Sequence, residues 1–164
     1  MSKEKISIRT AAEKDLPAIR NLYSQTVREI NSKDYTKQEI EVWASCSDEP
    51  GSFSKAIEVQ YFIVAEIENE IVGFSSIEKN GYLDFMYVHK DHQRKGIAKK
   101  LLEEIERKAS DQKNFEVFSY VSRTAKPFFE KSGYKHTGNK TDHFKGVLFI
   151  NSIMVKKKNY EANS

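Results

Sequence analysis

Residues 82–102 read Y-L-D-F-M-Y-V-H-K-D-H-Q-R-K-G-I-A-K-K-L-L, and three kinds of segment meet in them. The first seven residues, rich in aromatic and aliphatic side chains, have the composition of a strand. From Ile97 onward, Ile97, Leu101, Leu102, Ile105 and Ala109 recur every three or four positions, the clearest helical period in the chain. Between them lies H-K-D-H-Q-R-K-G, ending on Gly96. A glycine where strand passes into helix lets backbone N–H groups approach an anion closely, and the free donors and dipole of the helix start favour negative charge. Phosphate is the natural guest. Arg94, Lys95, Lys99 and Lys100 add charge-assisted contacts wherever they face it. The charges alone fit a solvated basic turn as well; the strand-to-glycine-to-helix context favours the anion site. Neither G-x-x-x-x-G-K-[ST] nor G-x-G-x-x-G occurs, which sets aside the P-loop and dinucleotide fingerprints.

Outward from this junction the chain alternates between strand-like and helix-like segments. Residues 5–9 alternate as a half-buried strand, and Leu16, Ile19, Tyr23, Val27 and Ile30 form one stripe of an amphipathic helix. Thr36 and Glu39 have capping-box spacing, which predicts a short helix carrying Ile40 and Trp43. S-C-S-D-E-P-G-S, residues 45–52, reads as a mobile loop. Residues 61–67 and 71–77, separated by E-N-E, suit a hairpin. A strand from Phe115, a short helix over residues 124–131 ended by Gly133, and one or two closing strands including residues 147–155 complete the order. That order predicts an α/β fold with a mixed sheet, parallel across a helical crossover and antiparallel in the hairpins.

The chain's 164 residues suit a single domain, expected over residues 1–156, with residues 157–164 as a solvated tail. A net charge of +3, from 27 basic against 24 acidic residues, is too mild to imply a nucleic-acid partner. Cys46, the single cysteine, has no internal disulfide partner, and no histidines or acids recur at metal-ligand spacing, so neither disulfide nor metal is expected. With no apolar signal core and no run near the roughly 20 apolar residues of a membrane span, the expectation is a cytoplasmic protein with no membrane partner.

The junction resembles the hallmark of the GNAT acyltransferases: a strand ending in Val, a polar turn, then [Q/R]-x-x-G-x-[G/A] opening a long helix, matched here by Gln93, Gly96 and Ala98. A second block, S-Y-V-S-R-T-A-K-P-F-F-E-K-S-G-Y over residues 119–134, is similar to the family's strand followed by N-x-x-A-x-x-[L/F]-Y-x-x-x-G-[F/Y]. The amino-terminal I-R-T-A-A-E-K-D-L-P-A-I looks like its first strand and helix, so the resemblance spans nearly the whole chain. It implies a mostly antiparallel mixed sheet with splayed central strands and flanking helices. It also implies acetyl transfer from acetyl-CoA to an amine. By the same match the backbone of Met86, Tyr87 and Val88 pairs with the pantetheine arm, and the N–H groups of Gln93, Arg94, Lys95, Gly96, Ile97 and Ala98 wrap the pyrophosphate, with Lys99 beside them. Ser122, at the family's frequent Asn position, bonds the arm; Lys126 lies near the nucleotide end, and Phe129 packs against the thioester end.

Direct acyl transfer needs a neutral amine, a donor for the carbonyl oxygen and a way for the thiolate to leave. A backbone N–H near Val88 suits the second need. For the third, Phe129 stands where many family members have Tyr and cannot give a proton; Tyr134, Tyr120 and Ser122 are the substitute candidates, or the thiolate departs unaided. Asp84 is the candidate base, since strand alternation puts it on the face of Met86 and Val88, although a carboxylate there also suits an ion pair at a strand edge. Histidine is a common acid–base group, but His89 and His92 sit beside the phosphate turn, where solvent or phosphate contact is expected. Cys46, outside both blocks, reads as structural. Tyr23 and Trp43, with Tyr35, residues 49–53 and residues 136–144, are candidates for the acceptor pocket, and Asp84 for its charge; helical spacing makes Tyr23 and Trp43 equally readable as core. The expected acceptor is a primary amine on a small molecule. The alternatives are a protein or peptide amine, or a non-catalytic acetyl-CoA sensor. Monomer and homodimer both remain open.

Overall fold

The computed structural model describes residues 4–49 and 51–158. Its strands are β1 (Ser7–Thr10), β2 (Tyr61–Ile67), β3 (Glu70–Ile77), β4 (Leu83–Val88), β5 (Glu116–Val121), β6 (Lys135–Phe144) and β7 (Val147–Lys157). Its α-helices are α1 (Leu16–Glu29), α2 (Lys37–Ala44), α3 (Ser54–Val59), α4 (Ile97–Asp111) and α5 (Lys126–Lys131). No helix among the described residues is long and apolar enough to cross a membrane.

The strands form two sheets, β1-β2-β3-β4 and β5-β7-β6. Every pairing within them is antiparallel, so the expected parallel relationship shrinks to one isolated bridge, Tyr82 with Phe118. β2 shows why the first sheet sits in the middle of the molecule. Its successive residues Phe62 to Ala65 are all buried, which requires cover on both faces. Phe62, Val64 and Phe74 pack with Ile19, Leu22 and Val27 of α1, while Ile63 and Ala65 pack with Ile97, Leu101 and Ile105 of α4. Arg9 fastens the start of the chain to this sheet, binding Asp15 at 2.8 and 2.9 Å and Glu66 at 2.8 Å. Hydrogen bonds from that guanidinium hold the Asp15 carboxyl below its ordinary pKa.

The capping box is present: Thr36 Oγ1 accepts from the Glu39 N–H at 3.2 Å and Glu39 accepts from the Thr36 N–H at 2.8 Å. The hairpin turns at Glu68 and Asn69, both with positive φ, as a two-residue turn between twisted strands requires. The segment read as a mobile loop is instead tied down. Ser45–Asp48 forms a 3-10 turn in which the buried Ser47 hydroxyl donates to the Ala44 carbonyl, and Arg20 bonds both the hydroxyl and the carbonyl of Ser52. Phe53 then plugs the aromatic core beside Tyr23 and Phe85, and α3 follows, a helix that the sequence reading lacked. The closing segment resolves into two strands. β7 continues through Lys157 opposite Glu116, and the Lys158 N–H reaches the Phe115 carbonyl at 2.8 Å, so residues 157 and 158, expected in a solvated tail, are held to the sheet; residues 159–164 of that expectation lie outside the described residues.

The two sheets meet at one corner. The Phe118 N–H donates to the Gly81 carbonyl at 3.1 Å and the Ser119 hydroxyl to the Leu83 carbonyl at 2.7 Å. Gly81 has φ +94°, and a Cβ there would stand 2.4 Å from the Glu116 carbonyl oxygen. Gly81→Ala therefore strains the backbone and pries β4 from β5. It is expected to cost about 2 kcal/mol or more in chemical denaturation, from the φ penalty and the clash together, and to weaken any ligand held between the strands.

Candidate active site

Beyond that corner β4 and β5 belong to different sheets, and a cavity of about 660 Å³ opens between them. Its wall takes residues from α1, α2, β4, the start of α4, β5, α5 and the β6–β7 hairpin. The backbone direction along β4 follows from one bond. The His89 N–H donates to the Val72 carbonyl at 2.8 Å, so residue 89 faces β3. In an antiparallel ladder alternate residues face alternate edges. With Gly73 opposite Val88 and Ser75 opposite Met86, the N–H and C=O groups of Met86 and Val88 point away from β3, into the gap, whereas the Tyr87 backbone, expected to pair with the arm as well, faces Phe74 of β3 and brings only its side chain to the gap. Of these, the Val88 carbonyl accepts from Thr26 Oγ1 at 3.0 Å and from Gln93 Nε2 at 2.7 Å.

At the far end of β4 the chain makes its polar turn. Gln93 folds back onto the carbonyls of Val88 and His89, Arg94 takes φ +60°, and Gly96 takes φ +83° directly before α4. No side chain caps α4 and no acidic residue occupies its first turn, so the N–H groups of Ile97, Ala98 and Lys99, which have no partner inside the helix, face the cavity region uncapped. Lys99 and Lys100 sit at the positive end of the helix dipole, where each cation is unfavourable by about 0.3–1 kcal/mol unless an anion is present. The four basic residues of this turn do not act alike. Arg94 and Lys99 line the cavity, whereas Lys95 pairs with Glu4 at 3.1 Å and Lys100 bonds the Ile6 carbonyl at 3.0 Å.

Asp84 lines the cavity with Leu83 and Met86, but for a different reason than alternation. Ser76 pairs with Phe85 while Ile77 pairs with Leu83, so the ladder is irregular at Asp84 and strict alternation does not run through it. Gln60, at the end of α3, donates Nε2 to Asp84 Oδ2 at 2.8 Å. Burial raises the Asp84 pKa above its ordinary 3.8, opposed by the bonds from Gln60 and Tyr82.

Tyr23 and Trp43 both reach the wall. Tyr23 is also core at 4% exposure, so both readings of it hold. The Tyr23 hydroxyl donates to the Trp43 carbonyl at 3.1 Å, and Trp43 Nε1 donates to the Tyr87 hydroxyl at 3.3 Å. Cys46 lines the same end, and burial pushes its thiol pKa up, away from thiolate chemistry. Phe129 is on the wall, and Ser122 is too, its hydroxyl accepting the Ala125 N–H at 3.2 Å.

Three expected residues are not brought to the cavity. Tyr134 packs edge-on against Phe129 and gives its hydroxyl to Glu106 at 2.7 Å; burial and that carboxylate raise its pKa, which disqualifies it as a ready acid. Lys126 lies on the surface with Nζ 3.3 Å from His136 Nδ1, and Lys95 is turned to Glu4 as described. Wall residues that the sequence reading did not find include Thr26, Phe149 and Asn151. On β7 the signal was present but inverted: Leu148 and Ile150 are exposed while Phe149 and Asn151 turn inward.

A family model for the acetyltransferase (GNAT) domain matches residues 31–157. The chain belongs to the GNAT acetyltransferases. It is 30% identical over 149 residues to the uncharacterized N-acetyltransferase YafP of Escherichia coli K12, covering 91% of this chain and 94% of that one. Among solved structures, a GCN5-related N-acetyltransferase from Rhodopseudomonas palustris superposes with a TM-score of 0.91 at 23% identity, over 96% and 99% of the two chains. The PaiA N-acetyltransferase of Thermoplasma acidophilum, solved in complex with coenzyme A, gives 0.78 at 22% identity over 94% and 99%. The family makes this protein an acyltransferase and accounts for the divided sheet.

The Asp84 environment can be measured directly. Carboxyl carbon NMR is expected to place its titration above 3.8. Gln60→Leu removes a hydrogen bond that favours the charged form, so the midpoint should move higher still; a fall would show that burial is not the governing influence.

Proposed function

We propose that the cleft binds acetyl-CoA along the open edge of β4 and transfers its acetyl group by direct attack of a primary amine on a small molecule. The observation that carries this reading is the conjunction of two features: a strand edge with the N–H and C=O of Met86 and the N–H of Val88 turned into a cavity, the Val88 carbonyl being taken by Thr26 and Gln93, leading straight to an uncapped, cationic helix start. An amide-bearing arm joined to a diphosphate satisfies both at once. Gln93, Gly96, Ile97 and Ala98 then hold the diphosphate through main-chain donors, with Arg94 and Lys99 adding charge.

A small acceptor is favoured because the chain crosses the cleft. The Arg123 N–H donates to the Tyr35 hydroxyl at 2.9 Å, its guanidinium lies 4.3 Å from the Tyr35 ring centre, and Thr124 Oγ1 donates to Asp34 at 2.8 Å. The hairpin tip is likewise pinned, Lys145 bonding Ser45 at 2.9 Å and Glu49 at 3.2 Å. These straps make a pocket where a protein substrate would require an open groove.

In the reaction the amine nitrogen forms a bond to the acetyl carbon, the carbon–sulfur bond breaks, and the pair of electrons leaves with sulfur. Asp84 receives the amine proton directly or through water, and the Val88 N–H supports the carbonyl oxygen. With Phe129 in place of a tyrosine and Tyr134 committed to Glu106, the thiolate departs as a weak base without an obligatory acid.

Two substitutions separate binding from chemistry. Asp84→Asn is expected to lower kcat by about 10²–10⁴, while acetyl-CoA affinity measured by calorimetry stays near wild type. Ala98→Glu places a carboxylate at the proposed diphosphate site while suiting a helix N-terminus. It should keep the fold, as read by thermal melting, and abolish acetyl-CoA binding; retained binding would remove the helix start from the site.

A further inference from the structure

We infer that the acceptor amine is carried on a flat aromatic or similarly apolar body and bears no carboxylate. This rests on the acetyl-transfer reading above and goes further, to the class of molecule transferred to.

The cavity divides chemically along its length. Its lining cations, Arg94 and Lys99, and the histidine His92 all lie at the α4 turn. The opposite end is built from rings. Trp43 is its centre, with Tyr35 at 5.1 Å and Phe149 at 6.5 Å, both edge-on, and Tyr87 bonded to its indole nitrogen. Tyr23 lies 4.9 Å from Tyr87, and Phe144 completes the wall. These six rings come from α1, the segment before α2, α2, β4, β6 and β7. Tyr35, Trp43, Phe144 and Phe149 are only half-buried, whereas Phe62 and Phe74 of the core are fully packed at 2% and 0% exposure. Ring surface left open inside a pocket is surface for a ligand.

The polar atoms of these rings are already engaged with one another. The Tyr23 hydroxyl serves the Trp43 carbonyl, the Trp43 indole serves Tyr87, and the Tyr35 hydroxyl accepts from Arg123. The wall thus offers mainly faces and edges for stacking, with the hydroxyls of Tyr35, Tyr87 and Tyr120 and the Asn151 amide as its polar points. A polyhydroxylated amine would surrender more hydrogen bonds to water there than these few groups replace. Charge excludes a second class. The carboxylates on the wall are Asp84 and Asp142, the latter held by Lys140 at 3.3 Å. The nearby cations Arg123 and Lys145 are engaged outside the wall, with Tyr35 and Glu39 and with Ser45 and Glu49. An acceptor carboxylate would be desolvated next to Asp84, with the neighbouring cation Lys140 already held by Asp142, whereas an amine finds Asp84 as its counter-charge.

The test uses the purified full chain and begins with acetyl-CoA binding by calorimetry, so that the two levels of inference fail separately. Absence of binding overturns the transfer reading and this one with it. With binding established, thiol release is measured for matched pairs: phenethylamine against phenylalanine, tryptamine against tryptophan, and beside them an aniline, spermidine, kanamycin and a lysine peptide. The aromatic amines are expected to exceed their carboxylated partners and the polar amines at least tenfold in kcat/KM. Parity or preference for an amino acid, spermidine, kanamycin or the peptide overturns the proposal, as does turnover of nothing on the panel. Trp43→Ala should raise KM for the best aromatic amine at least fivefold with acetyl-CoA affinity retained, and Trp43→Phe should restore part of it. Phe149→Ala provides the same readout should Trp43→Ala fail to fold, and an unchanged KM there counts against the proposal.

Discussion

Two neighbouring strands joined at only one end are the constraint on which this molecule depends. β4 and β5 touch through Phe118 and Gly81 and through Ser119 and Leu83, and then part. A sheet that continued across them would satisfy its own backbone and leave no site. Parting them leaves the N–H and C=O of Met86 and the N–H of Val88 without a strand partner in the middle of the protein, while Thr26 and Gln93 satisfy the Val88 carbonyl, a position that favours a ligand able to act as the missing strand. The cost of the separation is met by cover on both faces, with α1 against Phe62, Val64 and Phe74 and α4 against Ile63 and Ala65. Gly81 belongs to the same solution, since any Cβ would strike the neighbouring backbone where the sheets must touch.

The start of α4 repeats this logic in charge. Acids in the first turn stabilise a helix start; this one places Lys99 and Lys100 there and leaves its cap empty. The repulsion is relieved in part by sending Lys95 to Glu4 and Lys100 to the Ile6 carbonyl, contacts that tie the turn to the amino-terminal segment. What remains, uncapped N–H groups with Arg94 and Lys99 on the cavity wall, is a positive site held open by the fold.

Signals confined to a few neighbouring residues were legible in the sequence. The α4 period, Gly96, and the pairing of Thr36 with Glu39 all act within one or two turns of chain, and each stands where its spacing put it. Properties set by distant partners were not legible. Tyr134 is withdrawn from chemistry by Glu106, 28 positions away, and Asp84 is oriented by Gln60, 24 positions away. The Asp84 alternation argument reached the cavity wall although a ladder irregularity interrupts its premise. On β7 both faces carry apolar residues, so pattern alone gave no reason to turn Phe149 rather than Leu148 inward. The missed α3 reflects turn chemistry read too literally: serines that mark loops here bond helix-end carbonyls, and buried Phe53 anchors the segment.

If Asp84 is the base of the proposed reaction, its state connects the fold to the character of the acceptor. Burial raises its pKa, which strengthens it as a base, yet a carboxylate remains far weaker than an alkylamine, whose ordinary pKa is about 10. Most of that gap must close from the amine's side. A wall of rings does so by desolvating the ammonium form, which lowers the amine pKa as the same wall raises that of the carboxyl. An amine attached directly to an aromatic ring is less basic from the outset and needs still less help. Under the proposed reaction the ring-lined end of the cavity and the half-buried Asp84 carboxylate, oriented by Gln60, are parts of one device: the surface that favours an apolar acceptor also loosens that acceptor's hold on its proton.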